Sequence, residues 1–263
     1  LVAANMVYKA AKPDGLTIGN FIGNLVSQQL FGSPGIEFDG RKFEWIGVPT
    51  RDHVVCALTK ASGITSLDAW MAAKTPVKIG GSAPGTTNDD SAKLLKAALG
   101  LPIQLVTGYK GTAPIKLAAE SGEVAGSCWA WESIKVMWRQ GLDDGQVNIV
   151  LQAVPKAVPD LPKVPVAIEL AKTDEARKLI EVGIHSTAAI TRPYALPPGT
   201  PKDRVQLLRR AFQETLKDKD FLAEAVKSKL DVDPVSGEEV EKIVGGLFKL
   251  DQATVAKMGE ILK

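Results

Sequence analysis

Apolar and polar positions along this chain follow two rhythms, and the changes between them mark its elements. Apolar residues recurring at i, i+3 and i+4 predict helices over 2–12, 25–32, 62–74, Thr87 to about Leu99, 112–122, 132–141 and 166–186. Three more amphipathic stretches, 202–218, 219–229 and 237–262, close the chain. Between them lie short runs rich in β-branched and aromatic residues. "LTIGNF", "FEWIGVPT", "HVVCALTKA", "VKIGG", "IQLVTGY", "EVAGSCWAW" and "VNIVLQAV" read as strands, and "TAAITRPYALPPGTP" as a strand running into a proline-rich turn.

The breaks have local causes. Pro13 and Gly15 stop the first helix, and Thr65 or Ser66 is placed to cap the helix of 62–74. Gly100 closes the helix begun at Thr87, and Pro114 fits the first turn of its own. "PKAVPDLPKVP" carries four prolines in eleven residues and is expected to be irregular surface. No internal repeat is visible. Strand and helix alternate through about 190 residues, which predicts an α/β fold with mainly parallel sheets. The terminal helices are expected to pack over a sheet begun early in the chain.

Composition narrows the classes. The 263 residues suffice for one large domain or two ordinary ones. Thirty-two basic against 30 acidic residues leave a net charge of +2, with no basic block and no aromatic-basic stripe, so nothing favours nucleic acid or an anionic membrane. No apolar run is long enough to span a bilayer. No signal peptide is visible, and "LVAANMVYKAAK" reads as the middle of a helix, so the chain is expected to be processed, trimmed or incomplete at its N-terminus. Cys56 and Cys128 allow one bridge. A domain of this size does not need one, and two buried thiols are the expectation. Two isolated cysteines with His53 and His185 do not make a zinc site.

The candidate chemistry centres on "KIGGSAPGTTNDDSAKLLKAAL", a strand, a Gly/Ser/Thr loop and a helix. Gly80, Gly85, Thr86 and Thr87 approach the nucleotide P-loop pattern, but Thr86 stands where the lysine belongs. Hydroxyls, backbone N–H groups and the positive end of a helix suit a carboxylate better than a triphosphate. Segments 19–24 and 109–113 share this Gly/Asn/Ser/Thr character after a strand. The same residues also make tight turns and caps, and Asp89 and Asp90 could themselves complement the helix dipole. Ser82 in "GGSAP" does not match the hydrolase elbow, and neither histidine has a convincing local acid partner, so no catalytic residue is assigned. Trp129 and Trp131 alternate toward one side of a strand, either as core or, facing a cleft, as a flat wall for an apolar or aromatic ligand.

In order, "KAAKPDGLTIGNF", "IGGSAPGTTNDDSAKLLKAALG", "VTGYKGTAPIKLAAESGEVAG" and "LPPGTPKDRVQLLRRAF" resemble the solute receptors of tripartite tricarboxylate transporters, the Bug family. The resemblance covers essentially the whole chain, and "YKGTAPIKLAAESGEV" and "PPGTP" are its most specific parts. It implies a two-lobed, type II periplasmic binding protein, with residues 1–57 and 190–263 in one lobe and 58–189 in the other. It implies a monomer in the periplasm that closes on a small organic anion, often a carboxylate, and delivers it to membrane permease subunits, with no cofactor or metal.

Carried over position by position, the resemblance makes Ser82, Ala83, Gly85, Thr86, Thr87 and Asn88 one ligand loop. Tyr109, Lys110, Gly111 and Thr112 make a second, and Asn20, Gly23 and Asn24 would face them from the other lobe. The chain departs from the pattern at Ala125, where the family carries Asp, and at Trp129, where a polar residue, often Asp, is usual. Loss of that acid argues against a ligand ammonium group and for a flatter or more apolar ligand. Family chains also start earlier, with a strand and glycine loop that touch the ligand. The alternatives are a cytoplasmic ligand-sensing domain of the same fold, an α/β enzyme acting on a small acid, and a nucleotide-binding domain.

Overall fold

A computed structural model describes all 263 residues, Leu1–Lys263. In chain order its strands are β1 (Gly19–Asn20), β2 (Glu44–Val48), β3 (Val54–Thr59), β4 (Val77–Gly80), β5 (Ile103–Val106), β6 (Gly126–Ala130), β7 (Val147–Gln152), β8 (Tyr194–Leu196) and β9 (Val235–Ser236). The chain divides into two compact units. Unit 1 holds Leu1–Arg51 and Ala189–Lys257, and unit 2 holds Asp52–Ala188 and Met258–Lys263. A boundary at residue 57 would cut β3, which lies whole in unit 2 because it pairs with both β6 and β7.

The sheet of unit 1 has the order β1-β8-β2-β9, and every strand pair in it is antiparallel. The sheet of unit 2 has the order β5-β4-β6-β3-β7. There β4 pairs in parallel with β5 and β6, while β3 runs antiparallel to β6 and β7. The expectation of mainly parallel sheets is therefore corrected. Strand–helix alternation sets the direction of successive strands, and it does so for β4, β5 and β6. It cannot foresee a reversed strand inserted between two co-directed ones. β3 does this between β6 and β7, and β8 does it between β1 and β2.

Local signals explain much of the helical structure. The Ser66 hydroxyl accepts from the Ala69 N–H and caps the helix Leu67–Met71. Gly100, at φ 69°, closes Thr87–Leu99 in the left-handed conformation. The stretch 166–186, expected as one helix, is a 3₁₀ turn (Ala167–Leu170), a helix (Asp174–Ile180) and a π-helical segment (Glu181–Ser186). The last stretch splits into Gly237–Leu247 and Gln252–Leu262, the second started by Asp251, whose carboxylate accepts from the Thr254 N–H. No helix is long and apolar enough to cross a membrane.

Each unit has an aromatic core. In unit 1 Tyr8, Phe21, Phe38, Phe43 and Trp45 pack edge-on or tilted, with ring centroids 5.3–6.0 Å apart. In unit 2 Val55 and Ala57 of β3 pack with Trp129, Trp131, Ile134 and Trp138. On the other face of β3, Cys56 stands directly opposite Cys128 and the two are joined by a disulfide, which corrects the expectation of two free buried thiols. The flanking bonds Thr59 N–H to Ala125 O and Trp131 N–H to His53 O place Cys56 and Cys128 at a non-hydrogen-bonded pair. That is where cross-strand side chains come closest. The sequence could not show which position β3 would face.

His185 lies in the π-helical segment, and its Nε2 is buried without a hydrogen-bond partner. Burial lowers its pKa from 6.5 to about 4. A depressed histidine pKa contributes stability that is full above the unfolded value and is lost as pH falls toward the folded one. Discounted for the partly exposed ring, the loss between pH 7.5 and 4.5 is about 2 kcal/mol. Urea titrations at the two pH values should show it, and His185→Leu should remove that part of the pH dependence. An unchanged dependence would assign the acid sensitivity to the carboxyl groups.

Candidate functional site

The β4–helix junction is built by its own hydrogen bonds. The Thr86 hydroxyl donates to Ala83 O and lies 2.7 Å from Asn88 Oδ1, and the Asn88 amide donates to Ser82 Oγ at 3.0 Å. Asn88 Oδ1 also accepts from the Asp89 N–H, and Asp90 Oδ1 accepts from the Gly85 N–H. Gly85, at φ 83°, takes the left-handed turn that lets the loop close.

Thr86 occupies the cap position of a 13-residue helix, yet its side chain makes no cap bond. The backbone N–H groups of Thr87 and Asn88 therefore find no acceptor in the chain, and the Thr87 hydroxyl is equally uncommitted. Two donors at a helix N-terminus carry the dipole's partial positive charge. Asp89 and Asp90, both buried in the first turn, offset part of it.

The second loop is locked to the first. Gly108 N–H donates to Ser82 O at 3.0 Å and Tyr109 N–H to Gly81 O at 3.2 Å. The structure thus brings Ser82–Asn88 and Tyr109–Thr112 together. Tyr109 packs against the tryptophan cluster of unit 2, and its hydroxyl donates to Glu123 at 2.6 Å. Burial and that bond push the phenol pKa up to about 12. The Lys110 side chain is exposed, and Gly111, at φ 104°, leads into the helix Thr112–Glu120. Thr112 Oγ1 lies 3.1 Å from the Met137 sulfur.

Trp129 and Trp131 are both core residues, and Trp131 starts the helix Trp131–Met137 instead of ending a strand. The Trp129 ring, 3% exposed, is covered by Trp138 at 5.3 Å, so it presents no flat wall. Its Nε1–H has no acceptor. Asn20, Gly23 and Asn24 lie in unit 1. The exposed Asn20 amide donates to Pro193 O at 3.2 Å, while Gly23 and Asn24 are buried. Gly23 N–H donates to Thr191 O, and a Cβ there would overlap the Ile190 carbonyl oxygen.

Two features were not legible in sequence. His53, without a local acid, holds Glu132 at 2.6 Å through Nδ1 and 3.1 Å through its backbone N–H. Burial pushes the Glu132 pKa up, but the His53 and backbone bonds outweigh it and leave it lowered. Asp89 accepts from Thr107, 18 positions away. No cluster of three or more His, Cys, Asp or Glu side chains is placed to hold a metal ion.

The chain has the fold of the type II periplasmic binding proteins. The chain is similar to the periplasmic binding protein BugD, at 22% identity and TM-score 0.68, over 98% of this chain and 81% of that one. It is also similar to MatC of Rhodopseudomonas palustris with bound malate, at 19% identity and TM-score 0.66, over 100% and 84% of the two chains. A third likeness is to R. palustris Rpa4515 with adipate, at 22% identity and TM-score 0.67, over 98% and 82%. No protein-family model matches the chain, and no curated sequence matches it.

Proposed function

We propose that this protein is an extracytoplasmic receptor of the Bug type, which captures a small carboxylate and delivers it to a tripartite tricarboxylate-type permease. The observation that carries the reading is the uncapped N-terminus of Thr87–Leu99, where two N–H groups and the Thr87 hydroxyl await an acceptor. Ser82 Oγ, which accepts from Asn88, keeps its own hydrogen free to donate. Lys110 offers a cation on the adjoining loop.

Similar structures hold malate and adipate, which supports a carboxylate as the ligand class. The Cys56–Cys128 disulfide supports an oxidising compartment and counts against the cytoplasmic sensor. The reading is of a binder: the groups around the loop hold charge, and none is assigned a chemical step.

Thermal-shift and calorimetric titration with malate, succinate, adipate, hexanoate and benzoate test this. A bound acid at 100 times its Kd should raise the unfolding free energy by about 2.7 kcal/mol. Thr87→Val should weaken that acid by about tenfold, the loss of one hydrogen bond to a charged group. A folded protein that binds none of the five acids would overturn the reading.

A further inference from the structure

Asp89 is fully buried three residues into the helix that follows the first loop. Its Oδ2 accepts from the Thr107 hydroxyl at 2.9 Å, at the end of β5 and the start of the second loop. Its Oδ1 has no donor. That oxygen lies against Gly81, where any Cβ would collide with it, so the glycine makes room for the carboxyl. Three backbone bonds flank the contact: Gly81 N–H to Val106 O, Gly108 N–H to Ser82 O, and Tyr109 N–H to Gly81 O.

A buried carboxyl group with one donor is a costly way to fill space, since an apolar side chain of similar volume would avoid the desolvation. What the carboxyl does that an apolar residue could not is grip Thr107. We propose that Asp89 is the positioning residue of the site. It does not touch the ligand; it holds the 107–112 loop in register with the 82–88 loop, so that the donors of both converge on one anion. This rests on those loops being the ligand site.

The experiment compares Asp89→Ala, Asp89→Asn, Thr107→Val and Thr107→Ser, each under conditions where it is folded. The probe is whichever of malate, adipate and benzoate the parent protein binds best. Asp89→Ala and Thr107→Val should each weaken it by about tenfold, and the double variant should be no worse than either single one. Asp89→Asn still offers a carbonyl to Thr107 and Thr107→Ser keeps the hydroxyl, so both should stay within about threefold of the parent. A purely space-filling role would not be rescued by these two while Thr107→Val fails.

Amide exchange at Gly108 and Tyr109 is read in parallel. Protection should fall in Asp89→Ala and Thr107→Val and persist in the two conservative variants. Equal affinities, or unchanged exchange, in Asp89→Ala and Thr107→Val would overturn the proposal. A parent protein that binds no acid while exchange still follows the expected pattern would overturn the carboxylate reading and leave the positioning role standing.

Discussion

Replacing Cys56 and Cys128 together by alanine should lower the unfolding free energy by about 4 kcal/mol. The bond spans 72 positions, and closing a loop of that length removes much of the entropy of the unfolded chain. Both cysteines are fully buried, and the ladder around them pairs five residues of β3 with five of β6. The variant should therefore fold to the same sheet with a lower urea midpoint. Under native conditions a reductant should act slowly, because the thiolate must reach a sulfur inside the sheet. Parent and variant with equal midpoints under non-reducing conditions would mean that the thiols are unbonded, as the sequence alone suggested.

Gly23→Ala should destabilise by about 3 kcal/mol, the upper range for forcing atoms into packed structure. The added methyl cannot be accommodated by a side-chain movement, because the Ile190 carbonyl oxygen it meets belongs to backbone. The Gly23 N–H to Thr191 O bond, 3.0 Å, holds the same two segments together and would be stretched. Asn20→Ala, on the exposed side of the same turn, should change stability by less than about 0.5 kcal/mol. Denaturant titration of both variants reads the contrast. A Gly23→Ala protein of parental stability would mean that the 19–24 turn can move away from Ile190.

Gly23 also shows what a sequence can reveal. A glycine in a polar turn after a strand reads as a ligand loop or a tight turn, and only the position of Ile190 supplies its packing role. Signals carried within a few residues were legible: the Ser66 cap, the Gly100 stop, Pro114 in a first helical turn, and the junction from β4 into Thr87–Leu99. Partners far apart in sequence were not. Cys56 with Cys128, His53 with Glu132 and Asp89 with Thr107 depend on register and on which strand lies beside which. β9 is two residues long, too short to show any periodicity. Trp129 was legible as an aromatic on a buried strand, but the Trp138 ring that covers it comes from just past the end of the next helix.

The reversed strands also set a timetable for synthesis. β3 is made before its neighbours β6 and β7, so the centre of its sheet stays open until Gln152 has been added. β2 waits longer, since its partners β8 and β9 reach to Ser236. Such distant pairings make for slow folding, because the chain must close long loops before any contact compensates. Every strand of the unit 2 sheet has been made by Gln152, whereas the unit 1 sheet lacks β9 until Ser236, and Cys56 can meet Cys128 in register only after β6 has been made.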